Sequence, residues 1–132
     1  MTRAAALLLP LALLLAIAGC PGGDTEHRIG IYQTSAAPPG RTAEIEDDDL
    51  DDVHTIRLSS GVALAFDCWT SCEYTCVNPS FVADASGIVE VRDLWAQWGD
   101  AWMIYGAAPG TTRLTVKDAC AEQVYDVAVL DD

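Results

Sequence analysis

The stretch VALAFDC at residues 62–68 places an apolar side chain at every second position. An alternation with this period is typical of a strand that buries one face of a sheet. Comparable short runs, separated by turn residues, lie at 54–58, 88–91, 102–105, 114–117 and 124–130. Short alternating strands at this spacing predict an all-β fold, in which residues 53–132 form a small antiparallel sandwich.

The N-terminal segment, MTRAAALLLPLALLLAIAGC, has a positive charge at Arg3 followed by an apolar run over residues 4–18. A membrane-spanning helix needs roughly 20 apolar residues, so this shorter run predicts a removable signal peptide over residues 1–19. The end of the segment, Ile17-Ala18-Gly19-Cys20, resembles the lipobox of bacterial lipoproteins, in which an apolar residue, a small residue and Gly or Ala precede a cysteine. The alternatives are an ordinary secretory signal with a chance cysteine and a retained transmembrane anchor.

The lipobox resemblance implies that Cys20 carries a lipid. In that family diacylglycerol is attached to the cysteine thiol, the chain is cleaved before the cysteine, and the new amine often receives a further acyl chain such as palmitate. Two or three acyl chains hold a protein on a bilayer far better than one. The resemblance therefore implies a bacterial cell-envelope protein whose partner is the membrane. Residue 21 is Pro, whereas Asp at this position marks inner-membrane retention in the Gram-negative pattern, so we expect the outer membrane.

Residues 20–52 are predicted to be the lipidated anchor followed by a flexible acidic linker. Pro38, Pro39 and Gly40 interrupt regular structure, and seven of the nine residues at 44–52 are acidic. A run of like charges repels itself and stays solvated. The alternative is a calcium loop starting at Asp47. An EF-hand loop needs Gly at its sixth position and Glu at its twelfth, where this chain has Asp52 and Leu58.

Charge and composition narrow the range of functions. The formal net charge is -13, with 7 Lys and Arg against 20 Asp and Glu, whereas nucleic-acid binding needs a basic surface. The chain has two histidines, His27 and His54, and neither lies in a triad or a metal motif. The sequence also shows no paired catalytic carboxylates and no Gly-rich phosphate loop. We therefore expect a protein that is not an enzyme, uses no cofactor and binds no nucleic acid.

The stretch YGAAPGTTRLTV at residues 105–116 resembles the bacterial Ig-like domain of the group 2 type. That family has a Gly-x-Ala-x-Gly-Thr turn that leads into a Thr-rich strand, and then a final Val-rich strand, here 124–130. The segment NPSFV at 78–82 resembles the Ser/Asn-Pro segment before the middle strands of the family. The resemblance implies an Ig-like sandwich used for surface display or adhesion. The cysteines and the Trp-rich insert depart from the family pattern, so no ligand surface is carried over.

Four cysteines remain once Cys20 is assigned to lipid, namely Cys68, Cys72, Cys76 and Cys120. Disulfides persist in exported proteins, and four cysteines allow three pairings. In an Ig-like strand order Cys68 and Cys120 come to the same end of the sandwich, and both continue the apolar phase of the residues before them. We therefore expect a Cys68–Cys120 bridge, with Cys72–Cys76 as the second. A four-thiolate zinc site and a redox-active pair are the alternatives.

A cluster of aromatic residues is the remaining candidate surface. Trp95, Trp98 and Trp102 are spaced so that on a helical turn they would share one face. They are interpreted as a lid over one end of the core, as a protein interface, or as a platform that stacks on sugar rings. The sequence thus predicts a non-enzymatic envelope lipoprotein that displays a disulfide-bonded Ig-like domain for structural use or for protein interaction. The alternatives are a module that binds glycan or peptidoglycan through the three tryptophans, and a protein that binds metal or serves as an accessory to a periplasmic enzyme.

Overall fold

The alternating apolar runs do form strands, as the sequence predicts. The computed structural model describes residues 26–96 and 99–132, and this part of the chain is an all-β sandwich. Its nine strands are β1 Ile29–Gln33, β2 Ala43–Asp48, β3 Val53–Ser59, β4 Ala63–Thr70, β5 Ser80–Ala83, β6 Val89–Ala96, β7 Gly99–Gly106, β8 Gly110–Lys117 and β9 Glu122–Leu130. No helix within the described ranges is long and apolar enough to cross a membrane. The predicted signal peptide and Cys20 lie outside the described residues.

The strands form two sheets. The first sheet has the order β1-β4-β7-β6, and the second has the order β2-β3-β9-β8-β5. Neighbouring strands are antiparallel with one exception, the parallel pair β3 and β9, in which Ile56 lies opposite Val127. The prediction of an antiparallel sandwich is therefore right for all the other pairs in the described chain. These two strands are far apart in sequence, so no hairpin forces them to run in opposite directions.

The core lies between the inner faces of the two sheets. Leu64, Phe66 and Ile104 from the first sheet are fully buried, as are Leu114 and Tyr125 from the second. Burying a large apolar side chain contributes about 1.5–3 kcal/mol, so these positions hold the two sheets together.

The predicted linker is wrong from residue 29 onward, because both β1 and β2 lie within it. In β1, Ile31 is 1% exposed and lies opposite Cys68, so it extends the core at the edge of the first sheet. In β2, Ala43 is buried opposite Leu58 while Glu44 faces outward and pairs with Arg57 at 2.9 Å. Ala43 and Ile45 face inward at alternate positions of β2, and Ile45 packs against the core. Glu44 and Glu46 occupy the solvent side of this edge strand, where charge is tolerated.

The edges formed by β1 and β2 are joined by the side chain of Gln33. Its Nε2 donates to the carbonyl oxygen of Ala43 at 3.1 Å, and its Oε1 accepts the backbone N–H of Ile45 at 3.3 Å. A single amide thereby satisfies one donor and one acceptor of β2 that lack a neighbouring strand. The sandwich is closed along this side by a side chain from one sheet that pairs with the backbone of the other.

Candidate functional site

Cys68, Cys72, Cys76 and Cys120 form two disulfides, as the sequence predicts, but the predicted pairing is wrong. The bridges are Cys68–Cys76, with Cα atoms 5.4 Å apart, and Cys72–Cys120, with Cα atoms 6.4 Å apart. After β4 the chain turns back on itself, and the backbone N–H of Cys76 donates to the carbonyl oxygen of Cys68. Cys120 lies beyond the end of β8 at Lys117, so the strand phase used for the prediction does not reach it.

The disulfides exclude the alternative of a four-thiolate zinc site. All four sulfur atoms are in S–S bonds, so none can act as a thiolate ligand. His27 lies near Cys72 and Cys120, but these two sulfurs are bonded to each other. At this end of the sandwich, one disulfide joins the 71–76 loop to β4 and the other joins it to the turn between β8 and β9.

The predicted tryptophan surface does not form as expected, because the segment is a hairpin and not a helical turn. Trp102 lies on β7 and is 8% exposed, in contact with the core. Its ring centroid lies 6.3 Å from that of Phe66 and 5.7 Å from that of Phe81. Trp95 lies on β6 opposite Asp100, and only its backbone is described. Trp98 lies outside the described residues. Trp102 therefore packs against the core, which agrees with the lid interpretation, and its ring is not exposed as a ligand platform would require.

A hydrogen-bonded network lies where β1, β2, β3 and β9 meet. Tyr125 on β9 is fully buried, and its O–H donates to Asp47 Oδ2 at 2.7 Å. The same hydroxyl oxygen accepts the backbone N–H of Ile31 at 3.0 Å. The other carboxylate oxygen of Asp47 lies 2.5 Å from Nδ1 of His54, its cross-strand partner. One carboxylate from the predicted linker thus connects both edges of the sandwich to the core.

Close packing at this network depends on a residue without a side chain. A Cβ atom on Gly30 would overlap the Asp47 carboxylate and would come within 3.9 Å of the Tyr125 hydroxyl. Burial, followed by the charge of Asp47 and the hydrogen bond to it, raises the pKa of Tyr125 well above its ordinary value. The phenol therefore stays protonated at pH values at which a free tyrosine ionises, and it remains a donor to the carboxylate there.

The acidic hairpin, which we define as residues 47–54, surrounds the outer nitrogen of His54. The His54 side chain is 8% exposed, and its ring meets that of Tyr125 edge to face with centroids 5.7 Å apart. Its Nε2 lies 3.5 Å from Asp52 Oδ1 and 3.9 Å from Asp49 Oδ1. The sequence indicates no role for His54, because this histidine lies in no triad or metal motif and Asp47 lies in the predicted linker. A hairpin interpretation of residues 43–58 would have placed these two residues opposite each other.

An open groove lies on the outer surface of the second sheet. It has a volume of about 650 Å³, and Arg57, Arg113, Asp126 and Ala128 are among the residues that line it. Arg57 is already paired with Glu44, and Arg113 lies 3.8 Å from Asp126. Each arginine of the groove therefore lies next to a carboxylate of the same chain, and apolar side chains such as Ile56 and Val127 also line the groove.

Comparisons with protein-family models, with curated proteins and with solved structures find no match for this chain.

Proposed function

We propose that this chain is a non-enzymatic lipoprotein of the bacterial cell envelope, which presents a disulfide-bonded Ig-like domain for structural use or for contact with another envelope protein. The observation that carries the proposal is the lipobox sequence Ile17-Ala18-Gly19-Cys20 at the end of a short apolar segment. A thiol at this position is the nucleophile that takes up diacylglycerol in bacterial lipoproteins. The lipid then holds the domain at the membrane without a spanning helix.

The disulfides support an exported protein. Such bonds persist in oxidising compartments and are rare in the cytosol. The chain has five cysteines, and four of them form two bridges within the folded domain. Cys20 is the fifth, which leaves one thiol for lipid attachment. The cysteine usage therefore agrees with export and with a modified cysteine at the start of the mature chain.

The position of β1 bears on how the domain would be held. With lipid on Cys20, the residues between the anchor and the first strand are 21–28, because β1 begins at Ile29. A fully extended chain spans about 3.3–3.6 Å per residue, so this distance is at most roughly 30 Å. The domain would sit close to the membrane surface. This favours a partner that is itself at the membrane over one that lies far from it.

Metabolic labelling with an alkyne analogue of palmitate tests the lipid anchor. The wild-type chain is expected to incorporate the label and to enter the detergent-rich phase on phase separation with Triton X-114. Cys20→Ala is expected to lose both properties. The matched control is the double variant Cys72→Ser with Cys120→Ser, which also removes cysteines but should keep the label. Label retained in Cys20→Ala, or wild-type protein found in the aqueous phase, contradicts the proposal.

Sorting within the envelope is tested by a second substitution. Separation of the two membranes on a sucrose gradient should place the wild-type chain in the outer-membrane fraction. Pro21→Asp introduces the residue that marks inner-membrane retention and is expected to move the protein to the inner-membrane fraction. An inner-membrane location for the wild type refutes the predicted sorting without affecting the lipid anchor.

A further inference from the structure

We infer that the acidic hairpin binds one divalent transition-metal ion, such as Zn²⁺, through Nε2 of His54 and the carboxylates of Asp49 and Asp52. Asp49 and His54 belong, with Asp47, to a group whose ligand atoms lie within 4.8 Å of one another, and Asp52 Oδ1 lies 3.5 Å from Nε2 of the same histidine. His54 supplies an observation independent of the acidic cluster. Its side chain is more than nine-tenths buried, and its Nε2 has no hydrogen bond within the described residues yet faces the carboxylates. The inference does not depend on the lipid anchor.

The hydrogen bonds of Asp47 determine which nitrogen of His54 is available. The Tyr125 O–H already donates to one oxygen of Asp47, and an ionised carboxylate can only accept. Nδ1 of His54 therefore donates its proton to the other oxygen of Asp47. In the neutral ring that binds a metal ion, the lone pair is then on Nε2. Histidines that bind metal ions almost always donate their second nitrogen in this way, because the bond fixes the ring and raises its basicity.

The distances around Nε2 suit ligands that share an ion better than they suit direct hydrogen bonds. Hydrogen bonds join heavy atoms 2.7–3.2 Å apart, and the separations to Asp52 and Asp49 are 3.5 and 3.9 Å. Zn–N and Zn–O bonds of about 2.0–2.2 Å at tetrahedral angles place neighbouring ligand atoms roughly 3.4 Å apart. The Asp52 side chain is 96% exposed and so is free to adjust by the remaining few tenths of an ångström.

The neighbouring charges favour a cation. Asp47, Asp49 and Asp52 repel one another, and apart from His54 the basic group that pairs with them is Arg28, whose guanidinium lies 3.5 Å from Asp49. Both members of that pair are about half exposed, and such pairs contribute only about 0–1 kcal/mol. Ca²⁺ prefers six to eight oxygen ligands, whereas an imidazole nitrogen beside carboxylates suits Zn²⁺ and similar ions. The chemistry of the donor set therefore points to a transition metal.

Titration calorimetry with Zn²⁺ tests the inference, using the full chain purified from envelopes in mild detergent and stripped with a chelator. Binding of a single Zn²⁺ is expected. His54→Asn retains an amide donor near the position of Nδ1 for Asp47 but removes Nε2, so it should weaken binding by at least about tenfold without unfolding the domain. Asp52→Asn should also weaken binding. Circular dichroism checks that each variant remains folded.

Two controls match these variants. His27→Gln removes the other histidine of the chain, and Asp51→Asn removes a neighbouring carboxylate that lies outside the proposed ligand set; both should bind Zn²⁺ as the wild type does. Co²⁺ in place of Zn²⁺ should show the intense visible bands of a four-coordinate site, and these should be lost in His54→Asn. No binding by the wild type overturns the inference, as does equal binding by His54→Asn or loss of binding in His27→Gln.

Discussion

Replacing Tyr125 with Phe isolates the buried hydroxyl that joins the two sheets. The substitution keeps the aromatic ring, which is fully buried in the core. It removes the acceptor of the Ile31 N–H at 3.0 Å and the donor to Asp47 at 2.7 Å. We expect Tyr125→Phe to fold with unchanged β content, because the ring still fills its place, and to be clearly less stable than the wild type.

The size of this effect follows from the two lost bonds. An unsatisfied buried N–H costs about 1–3 kcal/mol, and a hydrogen bond to a charged group is worth about 1.5–3 kcal/mol. The two costs overlap because both partners shift when the hydroxyl is absent, so we expect a total loss of about 3 kcal/mol. Domains of this size have a free energy of unfolding of about 5–15 kcal/mol. A loss of this size should lower Tm by roughly 10–20 °C.

Urea denaturation followed by circular dichroism, with Tm from a thermal scan, measures the change. Tyr32→Phe is the matched control, because that tyrosine also bonds to an aspartate, Asp67 at 3.1 Å, but is 52% exposed. Its loss should change the free energy of unfolding by less than about 0.5 kcal/mol. Equal and small effects of the two substitutions would refute the reasoning, since burial of the Tyr125 hydroxyl would then contribute nothing.

Other predictions concern pH, the longer disulfide, close packing and the core. The pKa of Tyr125 is raised in the folded state, so the hydroxyl contributes its full stabilisation below the pKa of about 10 that it has in the unfolded chain, and this stabilisation is lost as pH rises above that value. The difference in free energy of unfolding between wild type and Tyr125→Phe, measured by urea denaturation, should therefore shrink above about pH 10. Replacing Cys72 and Cys120 with Ser opens a bridge of sequence separation 48 and should cost about 4 kcal/mol, while non-reducing peptide mapping of the wild type should recover this pair joined. Gly30→Ala should cost about 1–3 kcal/mol in the same urea assay, because its Cβ overlaps the Asp47 carboxylate. Trp102→Ala should lower the free energy of unfolding by about 3–5 kcal/mol in the urea assay, and a much smaller decrease would argue against a position of Trp102 in the core.

The strands of the C-terminal part could be predicted because their apolar residues alternate clearly. Leu64 and Phe66 on β4, and Val127 and Val129 on β9, face inward in the phase that the sequence indicates. The parallel pairing of β3 with β9 could not be predicted in this way. Alternation shows which face of a strand is buried, but it carries no information about the neighbouring strand or its direction.

The cysteine and tryptophan predictions failed for a different reason. Both extended a local periodicity beyond the element that produces it. Cys120 was counted in phase with β8, yet that strand ends at Lys117 and a turn follows. Trp95 and Trp102 were placed on one helical face, although they belong to the two strands of a hairpin. Spacing is informative within one continuous element and loses its meaning where the chain turns.

The folded domain begins at β1, before the acidic run, and so earlier than the sequence predicts. This start determines which strand a lipid anchor at Cys20 would be connected to. Asp47 looks like one more solvated charge, but it accepts hydrogen bonds from Tyr125 and His54. β1 is held by Ile31 at this network, and just before β1 the backbone of Arg28 exchanges hydrogen bonds with Ser71. If Cys20 carries the lipid, any force between membrane and domain passes first through β1. The buried hydroxyl of Tyr125 and the carboxylate of Asp47 would then secure the strand that connects the domain to its anchor.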